Sequence, residues 1–127
     1  MSSKESKIRE STREKNDRLL IAVRLKKTII YIENILENFP HKYIEIKALI
    51  SNSLYEMLES VYLANKGFEK EKNKNLSIIK LQMIDFYLML SYKKNLIGKK
   101  KFEGISKHLE EISKMLYSWK NYNEESR

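Results

Sequence analysis

At 127 residues the chain has the length of one domain, enough to bury a single ordinary core. Three glycines and one proline exclude an all-β fold built on tight turns, and the lack of cysteine excludes disulfides and thiolate metal sites. A formal charge of +8 points to polyanionic partners, of which nucleic acid and anionic membrane surfaces are the usual ones.

No stretch reads as a membrane span. The longest apolar run, Leu19 to Val23, is far shorter than a bilayer requires. The N-terminal MSSKESKIRESTREK is polar throughout and has no apolar core of a signal peptide, so a cytoplasmic protein is expected. Residues 1–17 alternate Lys/Arg with Glu around the single large apolar Ile8. They form a charged extension, either a disordered tail or a solvated stretch of helix.

The first packed helix is expected from about Asp17 to Asn38. Its stripe is Ile21, Leu25, Thr28, Ile32, Ile35 and Phe39, widened by Ile29 and Leu36. Phe39-Pro40 ends it, because a residue before proline is pushed out of the α region. A second helix follows from about Lys42 to Asn65, with Ile46, Ile50, Ser53, Met57 and Val61 on one stripe and further apolar residues around it. Gly67 supplies a left-handed stop. After the lysine-rich GFEKEKNKN, a third helix over about Asn75 to Lys94 carries Leu76, Ile79, Met83, Phe86 and Leu90 as its seam. The fourth has the clearest pattern. Phe102, Ile105, Leu109, Ile112, Leu116 and Trp119 recur at steps of three and four, a narrow helical stripe that no strand would produce.

Four amphipathic helices on short connections predict an all-α, antiparallel up-down-up-down four-helix bundle over residues 18–121, followed by a tail at 122–127. The Phe39-Pro40 turn and the Lys93 to Lys101 loop then share one end.

Signals for chemistry are absent. His41 and His108 have no HxxxH or HExxH spacing, the three glycines are isolated, and no Glu-x-x-His pair occurs. A non-enzyme is expected, without catalytic residue, metal, cofactor or small-molecule substrate. Asp85, among apolar neighbours, lies off the seam and is read as solvent-facing. The basic clusters say more. Lys93, Lys94, Lys99, Lys100 and Lys101 surround one loop, with Glu103 the only near acid. Arg24, Lys26 and Lys27 form a second nucleic-acid-binding candidate, and Lys66, Lys70, Lys72 and Lys74 a more dilute group. Such side chains contact phosphates and supply affinity with little sequence discrimination. Tyr31, Tyr43, Tyr92, Tyr117 and Tyr122 have faces on which bases can stack, although packing is the commoner use. Apolar residues beyond one stripe per helix (Leu54, Leu58, Tyr62, Leu81, Leu88 and Met89) are read as a surface for self-association or a partner.

Three segments carry a resemblance: FPHKYIEIKALISNSLYEMLESVYLAN, LSIIKLQMIDFYLML and LIGKKKFEGISKHLEEISKMLYSWK. From Thr28 to Lys120 the chain resembles the accessory variability determinant (Avd) proteins that accompany the reverse transcriptase of diversity-generating retroelements. Its anchors are Phe39-Pro40 with Lys42, Ala64-Asn65, Phe102-Glu103 with Ile105-Ser106, and Glu111-Ile112 with Met115-Leu116 and Trp119. The resemblance implies a basic homopentameric barrel that binds the reverse transcriptase and its template RNA or cDNA during mutagenic synthesis. Where such proteins carry arginines on the third helix, this chain has Met83, Ile84, Asp85 and Met89. Where they have glycine and arginine before Met-Leu, it has Ser113 and Lys114. A structural bundle of the kind encoded in ribosomal RNA intervening sequences, acting only through protein contacts, is the alternative.

Overall fold

A computed structural model describes the backbone of residues 3–125 and the side chains of residues 20–119. Four long helices, α1 (Ser3–Leu36), α2 (Ile44–Asn65), α3 (Lys70–Lys93) and α4 (Lys99–Glu125), make up nearly all of it, and the described residues contain no strand. A 3-10 turn at His41–Tyr43, held by the Tyr43 N–H on the Pro40 carbonyl at 2.9 Å, links α1 to α2. α1 starts at Ser3, so the charged extension continues the first helix. α4 likewise runs on into the expected tail.

Helices α1 and α4 pack against each other, as do α1 and α2, α2 and α3, and α3 and α4; the backbones of the diagonal pairs stand farther apart. Every adjacent pair is antiparallel. Arg24 meets Glu111 while the later Tyr31 meets the earlier His108, and Lys74 meets Trp119 while Tyr92 meets Phe102. Lys26 lies over Tyr62 while Glu33 accepts from Ser51. The chain is an up-down-up-down four-helix bundle.

On α1 the stripe read from sequence is the buried face: Ile21, Leu25, Thr28, Ile32, Ile35 and Phe39 are all in the core, with Ile29 and Leu36. Thr28 is tolerated there because its hydroxyl donates to the Arg24 carbonyl at 3.0 Å within its own helix. On α4, Ile105, Leu109, Ile112, Leu116 and Trp119 are buried as expected.

Helix α3 corrects the sequence reading. Its expected seam residues Ile79, Met83 and Phe86 are exposed, and the core face is instead Ile78, Leu81, Ile84 and Leu88, with Ser77 and Ser91. The surface set changes with it. Leu54, Leu81 and Leu88 are core residues and unavailable to another subunit, Leu58 packs against the core, and only Tyr62 and Met89 are substantially exposed. The physical reason lies in the serines. Ser53 and Ser60 on α2 and Ser77 and Ser91 on α3 are buried on the flanks where these two helices meet. Ser60, Ser77 and Ser91 each donate to the carbonyl four residues back, so burial strands none of these three hydroxyls. Small satisfied side chains let two backbones come close, and α2–α3 is the most extensive pairing in the bundle.

The α2–α3 and α3–α4 connections leave their helices in the same way. The Phe68 N–H reaches the Leu63 carbonyl across Gly67 (φ 83°), and the Leu96 N–H reaches Ser91 across Asn95 (φ 63°), all at 3.0 Å. These are left-handed helix stops, filled by the two residue types that tolerate the conformation best.

Gly104 is needed for a different reason. The Tyr31 hydroxyl lies where its Cβ would stand, with the ring carbon Cζ 3.4 Å from that point. Alanine normally gains about 1 kcal/mol over glycine inside a helix, but overpacking costs about 1–3 kcal/mol. Gly104→Ala is therefore expected to lower stability. Gly104→Ala combined with Tyr31→Phe should instead raise it above wild type by about 1 kcal/mol in urea denaturation, the helix-propensity gain alone. A stabilising single substitution would show that Tyr31 is free to swing away.

Candidate nucleic-acid interface

The α3–α4 turn is built as a rigid platform. Ile97 is buried in the core and Leu96 packs on it, so the loop is pinned from below. Tyr92 and Phe102 stack across its base, ring centroids 4.4 Å apart and 11° from parallel. The Phe102 N–H donates to the Gly98 carbonyl at 2.9 Å and starts α4. On this base Lys93, Lys94, Lys99, Lys100 and Lys101 are all exposed. None of the five makes an ion pair among the described residues, Glu103 notwithstanding. Between them lies a shallow pocket of about 510 Å³ lined by Tyr92, Lys93, Asn95, Ile97, Gly98 and Lys99.

Lys99, Lys100 and Lys101 occupy the first turn of α4, which holds no acidic residue. That end of a helix carries the positive half of its dipole and unpaired N–H groups, so lysine there opposes stability and carboxylates favour it. Solubility alone would be served equally well by lysines elsewhere. Three cations over a helix N-terminus raise the local positive potential and favour an arriving anion. Antiparallel connectivity brings the α1–α2 turn to this same end and adds the exposed His41 and Lys42, the latter 5.1 Å over the Tyr43 ring. Lys42 was not legible as a site residue, because nothing in its local sequence marks it; the topology does.

The other basic groups fare differently. Arg24 is bound to Glu111 at 2.8 Å and Lys26 sits 5.2 Å over the Tyr62 ring, which leaves Lys27 as the exposed cation of that trio without such a contact. At the opposite end of the bundle Lys72 pairs with Glu69 at 3.4 Å. Lys74 is no surface residue. It is 1% exposed, its Nζ donates to the Trp119 carbonyl at 3.1 Å, and it lies 4.9 Å from the centre of the indole ring. Only the inner register of α3 announces this, since Lys74 precedes Ile78, Leu81 and Leu88 on the buried face.

Among the tyrosines, Tyr31 packs on His108 with centroids 4.6 Å apart, Tyr92 is in the stack described, and Tyr117 is exposed. The Tyr122 side chain lies outside the described residues. His41 and His108 belong to no group of three potential metal ligands, and the described residues hold none. Asp85 is exposed, in a groove with Gln82, Ser106 and Glu110 between α3 and α4. That acidic lining would repel phosphate.

Set against models of known protein families, curated proteins and solved structures, the chain matches none of them. No helix among the described residues is long and apolar enough to cross a membrane.

Proposed function

We propose that the chain is a non-catalytic, cytoplasmic accessory protein of the Avd type. It holds template RNA or cDNA beside the reverse transcriptase of a diversity-generating retroelement and assembles with further copies of itself, five in the barrel that the resemblance implies. Its mechanism is positioning. Lysines neutralise phosphates and release counterions, which supplies affinity, while a rigid bundle sets the geometry of the bound strand. The supporting observation is the exposed five-lysine turn, without an ion pair among the described residues, three of whose members stand against the α4 dipole.

That arrangement has a test with two readouts of opposite sign. Lys99→Glu with Lys100→Glu puts carboxylates where the dipole favours them and should stabilise the fold by about 0.6–2 kcal/mol. The same change should remove most RNA binding in a filter assay at physiological salt. A variant that gains stability and keeps its RNA affinity would reject the lysine turn as the binding surface. Failure of the wild-type chain to bind any nucleic acid would favour the purely structural bundle.

A further inference from the structure

The pocket in the lysine turn holds more than a phosphate needs. Phosphate contact asks for cations and N–H groups. Lys93 and Lys99 supply the cations, yet the same pocket is also lined by Tyr92, Asn95 and Ile97. Ile97 is buried and forms its apolar floor. Tyr92 is half-buried and braced by its stack on Phe102. Among the described residues no carboxylate lines this pocket, whereas the groove between α3 and α4 has Asp85 and Glu110 in its wall. An aromatic ring, an apolar floor, an amide and flanking cations suit a whole nucleotide, base and phosphate together.

Asn95 distinguishes a nucleotide from a bare phosphate. The turn closes through its backbone: the N–H groups of Lys94, Asn95 and Leu96 donate to the carbonyls of Leu90, Tyr92 and Ser91, each at 3.0 Å. A left-handed φ of 63° is a conformation that glycine adopts at least cost, and the matching stop after α2 uses Gly67. The turn after α3 uses asparagine instead. Its side chain is exposed and makes no hydrogen bond with any described residue. The amide brings both a donor group and an acceptor to the pocket. Phosphate can use only the donor, while the edge of an unpaired base presents partners for both.

We infer that this pocket receives one unpaired base of the bound strand, its flat surface against Tyr92 and its edge on the Asn95 amide, with Lys93 and Lys99 on the adjoining phosphates. This rests on the reading that the lysine turn binds nucleic acid, and it names what the turn selects: a single strand. In a duplex each base is stacked between neighbours and its pairing edge is occupied. Filling the pocket from a duplex would require extruding a base, so only the phosphate contacts remain there. The stack on Phe102 holds the Tyr92 ring before a base arrives, so binding orders little that is not already ordered.

The test titrates the full chain with two single strands of equal length at physiological salt. One is an unstructured RNA oligonucleotide, the other an abasic ribose-phosphate strand with the same charge and no bases. Wild type is expected to bind the RNA more tightly by about 5–150-fold, the span for one stacked base. Asn95→Gly, which suits the left-handed turn, should weaken RNA binding by about 2–12-fold, the worth of a neutral hydrogen bond. It should leave the abasic strand and the salt slope unchanged, because no charge is altered. Tyr92→Leu should remove most of the preference for RNA over the abasic strand. Circular dichroism and a thermal melt check that each variant is folded, and Asn95→Gly decides alone if Tyr92→Leu is not. Equal binding of the two strands by wild type overturns the inference and leaves the lysine turn a surface that acts by charge alone, with the proposed function intact. A preference that a folded variant leaves undiminished overturns it as well, since the base then rests outside this pocket. Wild type that binds neither strand overturns the inference together with the nucleic-acid part of the proposed function.

Discussion

With Lys93, Lys94, Lys99, Lys100 and Lys101 all replaced by Gln, RNA affinity at about 50 mM salt should fall by roughly a thousandfold or more, and the dependence of log K on log salt should flatten by about 3–5. The size follows from counterion release, in which each neutralised phosphate contributes about 0.7 to the slope for a single strand and about 0.9 for a duplex. Glutamine keeps nearly the helix propensity of lysine and removes only the charge. The fold should be undisturbed, because the five side chains are exposed and make no ion pair among the described residues. Filter binding at four or five salt concentrations reads both quantities. A drop in affinity with an unchanged slope would mean that the turn acts on RNA by shape rather than by charge. The parallel replacement of Arg24, Lys26 and Lys27 should change the slope by less than three such contacts would. Arg24 is already neutralised by Glu111 and Lys26 is occupied with Tyr62.

That contrast shows where sequence stops being informative about the site. Three lysine-rich groups look alike as strings of letters. Their difference comes from what lies across the bundle: Glu111 on α4 for Arg24, Tyr62 on α2 for Lys26, Trp119 on α4 for Lys74. Long-range partners of this kind have no local signature. The five-lysine turn was legible because its members crowd one short loop with a single acid nearby.

The fold was legible to the extent that each helix had one dominant stripe. α1 and α4 each do, and their core faces follow from spacing alone. α3 has two interleaved stripes, both in steps of three and four. The outer one is Leu76, Ile79, Met83, Phe86 and Leu90. The inner one includes Lys74, Ser77, Ile78, Leu81, Ile84, Leu88 and Ser91. By hydropathy the outer stripe is the greasier of the two, so spacing and side-chain type together select the wrong face. What settles the matter is that a buried serine bonded to its own helix behaves as a small residue, and that close packing of α2 on α3 rewards small residues there. Neither effect is visible without the partner helix in place. The bulkier stripe is left on the outside, with Ile79, Met83 and Phe86 exposed.

Trp119 yields the largest stability effect expected for one substitution. It is fully buried at the end of the bundle away from the lysine turn, it ends the α4 stripe, and its ring and backbone carbonyl both receive the Lys74 ammonium. Trp119→Ala removes the bulk of that filling and should cost about 3–5 kcal/mol, a large part of the 5–15 kcal/mol that a domain usually has. It also opens a void beside the buried Lys74 side chain, which stands over the indole face in the native fold. Trp119→Phe should behave quite differently. The indole Nε1 is buried without a hydrogen-bond partner among the described residues, a defect worth about 1–3 kcal/mol that phenylalanine removes. Phenylalanine also keeps an aromatic face for Lys74 and leaves the backbone carbonyl in place. The lost volume and the relieved donor then nearly offset, and a net change within about 2 kcal/mol is expected in urea denaturation. Equal losses for the two variants would mean that the indole N–H is satisfied in solution. Trp119 would then hold this end of the bundle through a polar contact rather than through packing around a buried cation.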